Sequence, residues 1–236
     1  DIFVEAKDAP ADFWGFKDIG LPEREMRELV QCMKREGKTV FLESLAYTEE
    51  EGLQSARLAI NCGFDYFTGT NFFPKIQQLA SENGLRYLPF VGKRRDHRLY
   101  GEIDEIIAHA REVSAQGVYG INLSGFRYVG DAPALITGLV HAMDKPVSIV
   151  GSIDSYERLD LIKKAGPWTF TVGGAFFEGK FGGTFSEQIE AVVLSEKIRA
   201  GPSGCGGNHH EDRNDIPALC QASSGKGLSN RLLAGV

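Results

Sequence analysis

Short apolar segments alternate with amphipathic ones along residues 1–200, and this alternation limits the possible folds more than any other feature of the chain. Residues Lys145–Phe177 show the repeating unit: an apolar strand, a Gly151-Ser152 turn, a helical segment, and a second strand that ends at Gly173-Gly174. Strands that alternate regularly with helices form a parallel sheet covered by those helices. The pattern predicts seven strand–helix units, with strands at Asp1–Ala6, Lys38–Leu45, Tyr66–Thr70, Arg86–Gly92, Val118–Ser124, Pro146–Val150 and Thr169–Val172.

Eight units of this kind would close a barrel, and the sequence supplies seven. Because residue 1 already lies in a predicted strand, we expect an α/β fold, a (β/α)8 TIM-type barrel that lacks its first βα unit. An open, doubly wound sheet is the alternative, and it would need a topological switch point. We assign residues 1–200 to the barrel. Residues 201–236 are rich in Gly, Ser, Asn and His without apolar periodicity, and we expect a disordered tail there.

The composition is that of an ordinary globular chain, with 42% hydrophobic and 25% charged residues. A net charge of −6 argues against broad binding to nucleic acid. No apolar run approaches the roughly 18 residues that a membrane span needs. Four widely separated cysteines indicate a reducing, cytoplasmic setting, and those at positions 205 and 220 have no standard zinc-ligand spacing. We therefore expect no metal, no cofactor and no membrane partner.

Two glycine-containing turns are the candidate phosphate site. Gly151 and Ser152 follow the sixth predicted strand, and Gly173 and Gly174 follow the seventh. Glycine lets the main chain approach a ligand closely, and exposed N–H groups favour anions. The last two βα loops of a TIM barrel are a frequent phosphate site. The alternative is that these glycines only form tight strand-to-helix turns.

A lysine and two carboxylates are the candidate catalytic groups. Glu5 and Lys7 share one face of the predicted first strand, and Glu43 lies within the apolar second strand. Burying an unpaired carboxylate costs several kcal/mol, so we expect Lys7 to pair with Glu43. Such a pair suits proton transfer next to a carbonyl, or Schiff-base chemistry. A structural ion pair at the barrel mouth is the alternative.

Polar residues at the ends of other strands are further candidates. Thr70 ends the third strand and could bind substrate or cap the next helix. Lys93 and Arg95 belong to the densest positive cluster, which either attracts an anionic substrate or is a solvated surface. Asn122, as a catalytic candidate, and Ser124 share a face of the fifth strand and can hydrogen-bond a sugar hydroxyl or carbonyl.

Two of these segments resemble a known superfamily. VSIVGSIDS at residues 147–155, followed by FTVGGAFF at residues 170–177, is similar to the phosphate-binding half of the ribulose-phosphate-binding and related aldolase-type barrels. These families include isomerases and synthases of histidine and tryptophan biosynthesis, decarboxylases and sugar-phosphate epimerases. The resemblance implies that Gly151, Ser152, Gly173 and Gly174 hold a phosphate. It specifies the superfamily and not the reaction.

A looser similarity covers residues Ile2–Phe181. The order of elements there resembles the glycerol-3-phosphate-responsive antiterminator family, with FDYFTGTNFFPKIQQLASENGL at residues 64–85 in the place of a strand, a polar turn and a lysine-bearing helix. That resemblance implies a regulatory RNA-binding barrel.

We therefore expect a protein that binds a small phosphorylated metabolite and acts as a metal-independent lyase, aldolase or isomerase on a sugar phosphate or keto compound. The alternative is a non-catalytic barrel that senses a phosphorylated ligand, with RNA as a partner. A homo-oligomer is compatible with both expectations.

Overall fold

Eight parallel strands form a closed barrel in the computed structural model, which describes residues 2–199 and 232–235. The barrel strands are β1 (Phe13–Lys17), β2 (Thr39–Ser44), β3 (Tyr66–Asn71), β4 (Arg86–Phe90), β7 (Ile121–Leu123), β8 (Val147–Ile149), β9 (Thr169–Val172) and β10 (Leu232–Gly235). β5 (Lys93–Arg95) and β6 (Arg98–Tyr100) form an antiparallel hairpin after β4. The helices are α1 (Ile2–Ala6), α2 (Glu23–Arg35), α3 (Glu49–Cys62), α4 (Pro74–Glu82), α5 (Ile103–Ala115), α6 (Ala132–Ala142), α7 (Tyr156–Ala165), α8 (Gly174–Phe177) and α9 (Phe185–Arg199).

The strands follow one another around the barrel in chain order, and β10 lies between β9 and β1. Within the described residues, seven barrel strands lead into a helix, and β10 occupies the eighth position by itself. The prediction of a TIM-type barrel that lacks one βα unit is confirmed. Contrary to the expectation, however, the first unit is present as β1 and α2.

The predicted first strand at residues 1–6 is wrong, because Ile2–Ala6 is helix α1. The first strand is β1, inside the segment that the sequence pattern assigned to a loop. Helical spacing buries Phe3 and Ala6 on one side of α1, and the Phe3 ring meets the Trp14 ring edge-on at 5.1 Å between centroids. The apolar residues that suggest a strand therefore cover the outside of β1.

The expected tail at residues 201–236 lies outside the described residues, except for β10. This strand pairs in parallel with β1 through Phe13 and Leu233, and with β9 through Phe170 and Leu232. Its backbone closes the barrel, so residues 232–235 differ from the expected disorder.

Hydrogen-bonded caps set the start of several helices. Thr48 precedes α3, and its hydroxyl accepts a hydrogen bond from the Glu51 N–H while donating to the Glu51 carboxylate at 2.8 Å. Before α9, the Glu187 N–H donates to the Thr184 hydroxyl, and the main-chain N–H of Thr184 donates to the Glu187 carboxylate. Such capping boxes satisfy N–H groups that a helix start leaves unpaired.

Every helix in the described part of the chain is too short or too polar to span a bilayer.

Aromatic rings fill the barrel interior at the amino-terminal ends of the strands. Phe41 stacks on Tyr66 with 4.3 Å between ring centroids, and Trp168 lies 5.4 Å from Tyr66. Phe13 and Tyr119 complete this group, which we call the aromatic plug. Because the plug fills one end, polar side chains farther along the strands face the carboxyl-terminal end of the barrel.

We expect Gly69→Ala to destabilise the fold strongly. Gly69 lies in β3 at φ +88°, and a Cβ there would overlap the carbonyl oxygen of Ser44. The free energy of unfolding, measured by urea denaturation, should fall by about 3 kcal/mol. Gly166→Ala is the matched control, since Gly166 also has positive φ but has no atom within 4 Å of the added Cβ. It should cost about 1 kcal/mol, and equal losses in both variants would contradict the steric explanation.

Candidate functional site

A cavity of about 260 Å³ opens at the carboxyl-terminal end of the barrel. This is the end at which TIM barrels carry their active sites. Charged and polar side chains reach it from different strands and loops, namely Lys17, Glu43, Arg94, Ser124, Arg127 and Thr171. The plug lies at the opposite end of the strands, so these groups gather at one mouth.

All four predicted phosphate-site residues line this cavity. Gly151 and Ser152 follow β8 with φ of +81° and +59°, and Gly173 and Gly174 follow the neighbouring β9. A Cβ on Gly151 would lie 2.9 Å from Nε of Arg127, so the glycine leaves room for that guanidinium beside the loop. The arrangement places a cation next to the Gly151-Ser152 loop. Phosphate binding itself stays a prediction.

The lysine next to Glu43 is Lys17, not Lys7. Lys17 and Glu43 are register partners on β1 and β2, and both line the cavity. Lys7 instead forms an ion pair with Glu36 at 3.0 Å, and the pKa of Lys7 is raised by that hydrogen bond. Glu5 is exposed on α1. The structure therefore separates Glu5 and Lys7 from Glu43. The alternation of Phe13, Gly15 and Lys17 is the sequence signal that could have indicated strand β1. It was missed because this segment was predicted to be a loop.

Glu43 carries the carboxyl group at the base of the cavity. Burial raises the pKa of this carboxyl above its ordinary value, while the positive charges of Lys17, Arg127 and Arg94 offset part of the rise. Desolvation disfavours the charged form of a carboxyl, and nearby cations favour it. A carboxyl whose pKa is raised keeps its proton to a higher pH than an ordinary carboxyl, which suits general acid–base chemistry.

Arg94, in the middle of β5, is the basic residue that the hairpin brings to the cavity. Its guanidinium carbon lies 3.5 Å from the Phe90 ring centroid, and its buried Nη1 has no hydrogen-bond partner among the described residues. Burial lowers the pKa of Arg94. The predicted Lys93 and Arg95 are exposed and do not line this cavity. Neighbouring residues of a strand face opposite ways, so only the middle one of three enters.

Buried polar side chains on β7 and β9 are incompletely hydrogen-bonded. The predicted Asn122 on β7 is fully buried and is not among the residues that line the cavity, and neither its Nδ2 nor its Oδ1 has a partner among the described residues. The buried Thr171 Oγ1 also has no hydrogen-bond partner among the described residues. Thr171 and Ser124 both line the cavity. An unsatisfied buried polar group costs about 1–3 kcal/mol. Thr171 therefore favours a polar occupant of the cavity, either water or a ligand group.

Thr70 does not reach the cavity. It is fully buried, and its hydroxyl pairs with the Tyr87 hydroxyl at 2.5 Å and donates to the Asn71 carbonyl at 2.8 Å. Its φ is +58°, directly after Gly69 at +88°, where the β3–β4 register shifts. Two left-handed residues in succession break the strand alternation, and the sequence pattern carries no signal for this.

Among residues 2–199, no three His, Cys, Asp or Glu side chains are grouped closely enough to hold a metal ion. The expected absence of a metal and a cofactor stays a prediction.

No protein-family model and no curated protein matches the chain. Solved structures do match, including native KDPGal aldolase at 16% identity, over 84% of this chain and 87% of that chain, with a TM-score of 0.60. Phosphoribosyl anthranilate isomerase from Thermococcus kodakaraensis matches at 18% identity, over 83% and 91% of the two chains, with a TM-score of 0.58. The chain has the TIM-barrel fold. At these identities the likeness concerns the fold alone.

Other barrels are less similar. The glycerol uptake operon antiterminator regulatory protein of Listeria monocytogenes matches at 12% identity, over 67% and 76% of the two chains, with a TM-score of 0.43. The chain spans 48% of the length of a FabK mutant from Thermotoga maritima, with a TM-score of 0.46. At these scores neither likeness bears on the family or the function of this chain.

The raised pKa of Glu43 predicts a pH-dependent cost to the stability of the barrel. The native state holds this proton at pH values where the unfolded chain has released it, so native stability falls as pH rises above about 4.5. We expect Glu43→Gln to remove this loss, so that the variant gains stability relative to the wild type as pH rises above about 4.5. Urea unfolding at a series of pH values on both sides of about 4.5 measures the difference.

Glu187→Gln is the control with the opposite sign. The Thr184 N–H lowers the pKa of Glu187, so its contribution is present above the ordinary pKa and is lost as pH falls. A Glu43→Gln variant whose stability runs parallel to that of the wild type would show that Glu43 titrates normally.

Proposed function

We propose that this barrel binds a small phosphorylated metabolite and acts on it as a metal-independent aldolase, lyase or isomerase of a sugar phosphate or keto compound. The observation that carries the proposal is the convergence of three cations, Lys17, Arg94 and Arg127, on one cavity bordered by the Gly151 and Gly173 loops. These cations lie in a chain whose net charge is −6. Glu43, Asp154 and Glu178 also line the cavity, and Asp154 is paired with Arg158. An anionic ligand complements the three cations.

The phosphate group is assigned to the Gly151-Ser152 and Gly173-Gly174 loops, with Arg127 beside the first of them. Glycine backbone and an adjacent guanidinium together suit a phosphate, because both present N–H donors. Binding energy from a remote phosphate can be used to hold the reacting part of a substrate in place. The reacting carbon would then lie toward the barrel axis, near Lys17 and Glu43.

Lys17 and Glu43 are the proposed catalytic residues. Glu43, with its raised pKa, is suited to move a proton to or from the carbon next to a carbonyl. Lys17 is suited to stabilise the oxyanion that develops on that carbonyl, or in its neutral form to attack the carbonyl carbon as a Schiff-base nucleophile. Asn122 supplies an amide whose hydrogen-bonding groups are unpaired among the described residues and suit a hydroxyl or carbonyl.

The assignment of the phosphate is tested at Gly174, where an added Cβ meets no atom within 4 Å. We expect Gly174→Asp to weaken the binding of inorganic phosphate and of glyceraldehyde 3-phosphate by about tenfold or more, through repulsion between like charges. Isothermal titration calorimetry measures both affinities. Gly174→Ala adds a similar branch point without charge and should bind nearly as the wild type does. Phosphate affinity that is equal in all three proteins would overturn the assignment.

The role of Lys17 is tested by borohydride reduction in the presence of pyruvate or dihydroxyacetone phosphate. If Lys17 forms a Schiff base, reduction leaves a covalent adduct on Lys17 that mass spectrometry locates, and Lys17→Met abolishes it. Lys7→Met is the matched control, because Lys7 is bound to Glu36 away from the cavity. An adduct that survives Lys17→Met would rule out this nucleophile. Turnover without any adduct would assign Lys17 to oxyanion stabilisation.

The ligand-binding and adduct experiments, together with a measurement of RNA affinity, also test the alternative of a regulatory barrel. Phosphate-ligand binding without turnover of any sugar phosphate, combined with ligand-dependent RNA affinity, would favour a sensor. A homo-oligomeric state and a cytoplasmic setting stay predictions under either function.

A further inference from the structure

The residues that directly follow Lys17 and Glu43 share one partner on α3. Asp18 comes after β1, and Ser44 is the last residue of β2. Because neighbouring residues of a strand face opposite ways, these two side chains turn from the cavity toward the helix layer. Ser55 on α3 meets both of them there.

A continuous chain of hydrogen bonds joins the three side chains. The Ser44 hydroxyl donates to the Ser55 hydroxyl at 3.1 Å, and the Ser55 hydroxyl donates to the Asp18 carboxylate at 2.5 Å. The Ser55 oxygen also lies 3.1 Å from the Glu51 carbonyl of its own helix. We call Ser44, Ser55 and Asp18 the serine–aspartate clamp. Hydrogen bonds to a charged group are the stronger ones, so the Asp18 bond anchors the clamp.

Main-chain N–H groups form two further hydrogen bonds at the ends of β1 and β2. The Asp18 N–H donates to the carbonyl of Glu43 itself at 3.1 Å, and the Ala46 N–H donates to the Ser44 hydroxyl at 3.3 Å. Ser44 is fully buried and Ser55 is 9% exposed, so bonds lost here would not be replaced freely by water. The clamp therefore fixes the ends of β1 and β2 relative to each other and to α3.

We propose that Asp18 and Ser55 are positioning residues, which hold Lys17 and Glu43 side by side in the arrangement that the reaction requires. This proposal rests on the proposed function of Lys17 and Glu43, and it assigns their geometry to residues outside the cavity. A displacement of about 1 Å in a reacting group can cost a hundredfold in rate.

The Asp18 charge also acts on Glu43. The charged groups that influence the Glu43 carboxyl are Lys17 on β1, Arg94 on the hairpin and Arg127 after β7, which favour its ionised form, and Asp18, which opposes it. Among the charged groups that act on Glu43, Asp18 is thus the acidic one. Because Ser55 holds its carboxylate, this charge stays at a constant place relative to Glu43.

The electrostatic part of the proposal is tested with Asp18→Asn. The amide oxygen of Asn still accepts the Ser55 hydrogen bond, so the variant removes the charge and keeps the shape. We expect the pKa of Glu43 to fall, measured by NMR titration of carboxyl-13C glutamate with the Glu43 signal assigned through Glu43→Gln. Asp104→Asn on α5 is the control and should leave that pKa unchanged. A Glu43 pKa that Asp18→Asn leaves unchanged would overturn the electrostatic role.

The positioning part is tested with Ser55→Ala, matched by Ser114→Ala, since Ser114 is a helical serine that is also 9% exposed. We expect Ser55→Ala to lower kcat, or the rate of adduct formation at Lys17, by about tenfold or more with little change in KM. Ser55→Thr, which keeps the hydroxyl, should restore much of the rate. Equal losses in Ser55→Ala and Ser114→Ala would overturn the positioning role.

Failure of the proposed function would look different. In that case the wild-type protein would bind no phosphate and form no product or adduct, and the Glu43 titration in Asp18→Asn would still decide whether Asp18 acts on Glu43.

Discussion

The packing of aromatic rings at one end of the barrel is the constraint on which the site depends. The strands of a parallel barrel enclose an interior along the barrel axis, and side chains must fill this interior. Phe41 stacked on Tyr66, with Trp168 beside them, fills the amino-terminal part. The plug leaves the carboxyl-terminal part to polar side chains such as Asn122 and Thr171, whose buried polar atoms have no partner among the described residues. Packing at one end thus determines where a polar ligand can enter.

The protonation of Glu43 at the carboxyl-terminal end of the barrel depends on its burial and on the charged groups around it. Glu43 has a raised pKa because protein surrounds its carboxyl, and three nearby cations offset part of that rise. Charges interact more strongly inside a protein than in water, so small displacements of these groups change their protonation. The bonds from Ser55 to Asp18 and from the Asp18 N–H to the Glu43 carbonyl limit such displacements. Stability and candidate chemistry are therefore coupled at the ends of β1 and β2.

The wrong interpretations of Lys93, Arg95 and Thr70 share one physical cause. A strand presents alternate residues to its two faces, so a shift of one residue exchanges the buried and exposed sets. Arg94 rather than Lys93 or Arg95 enters the cavity for this reason, and Thr70 turns away because Gly69 and Thr70 both have positive φ. Residues 1–6 carry apolar residues that suit a strand or a helix, and contacts with Trp14 favour the helix. Short apolar segments do not distinguish these outcomes by themselves.

The sequence alone determined the alternation of strands and helices, the glycine turns after β8 and β9, and Glu43 as a carboxylate within an apolar strand, because these depend on local periodicity and on backbone freedom. The tertiary structure decided which lysine meets Glu43, which arginines reach the cavity, and how Leu232–Gly235 closes the barrel. Those outcomes depend on register between strands that are distant in sequence. Hydrogen bonds and packing set that register only when the barrel closes.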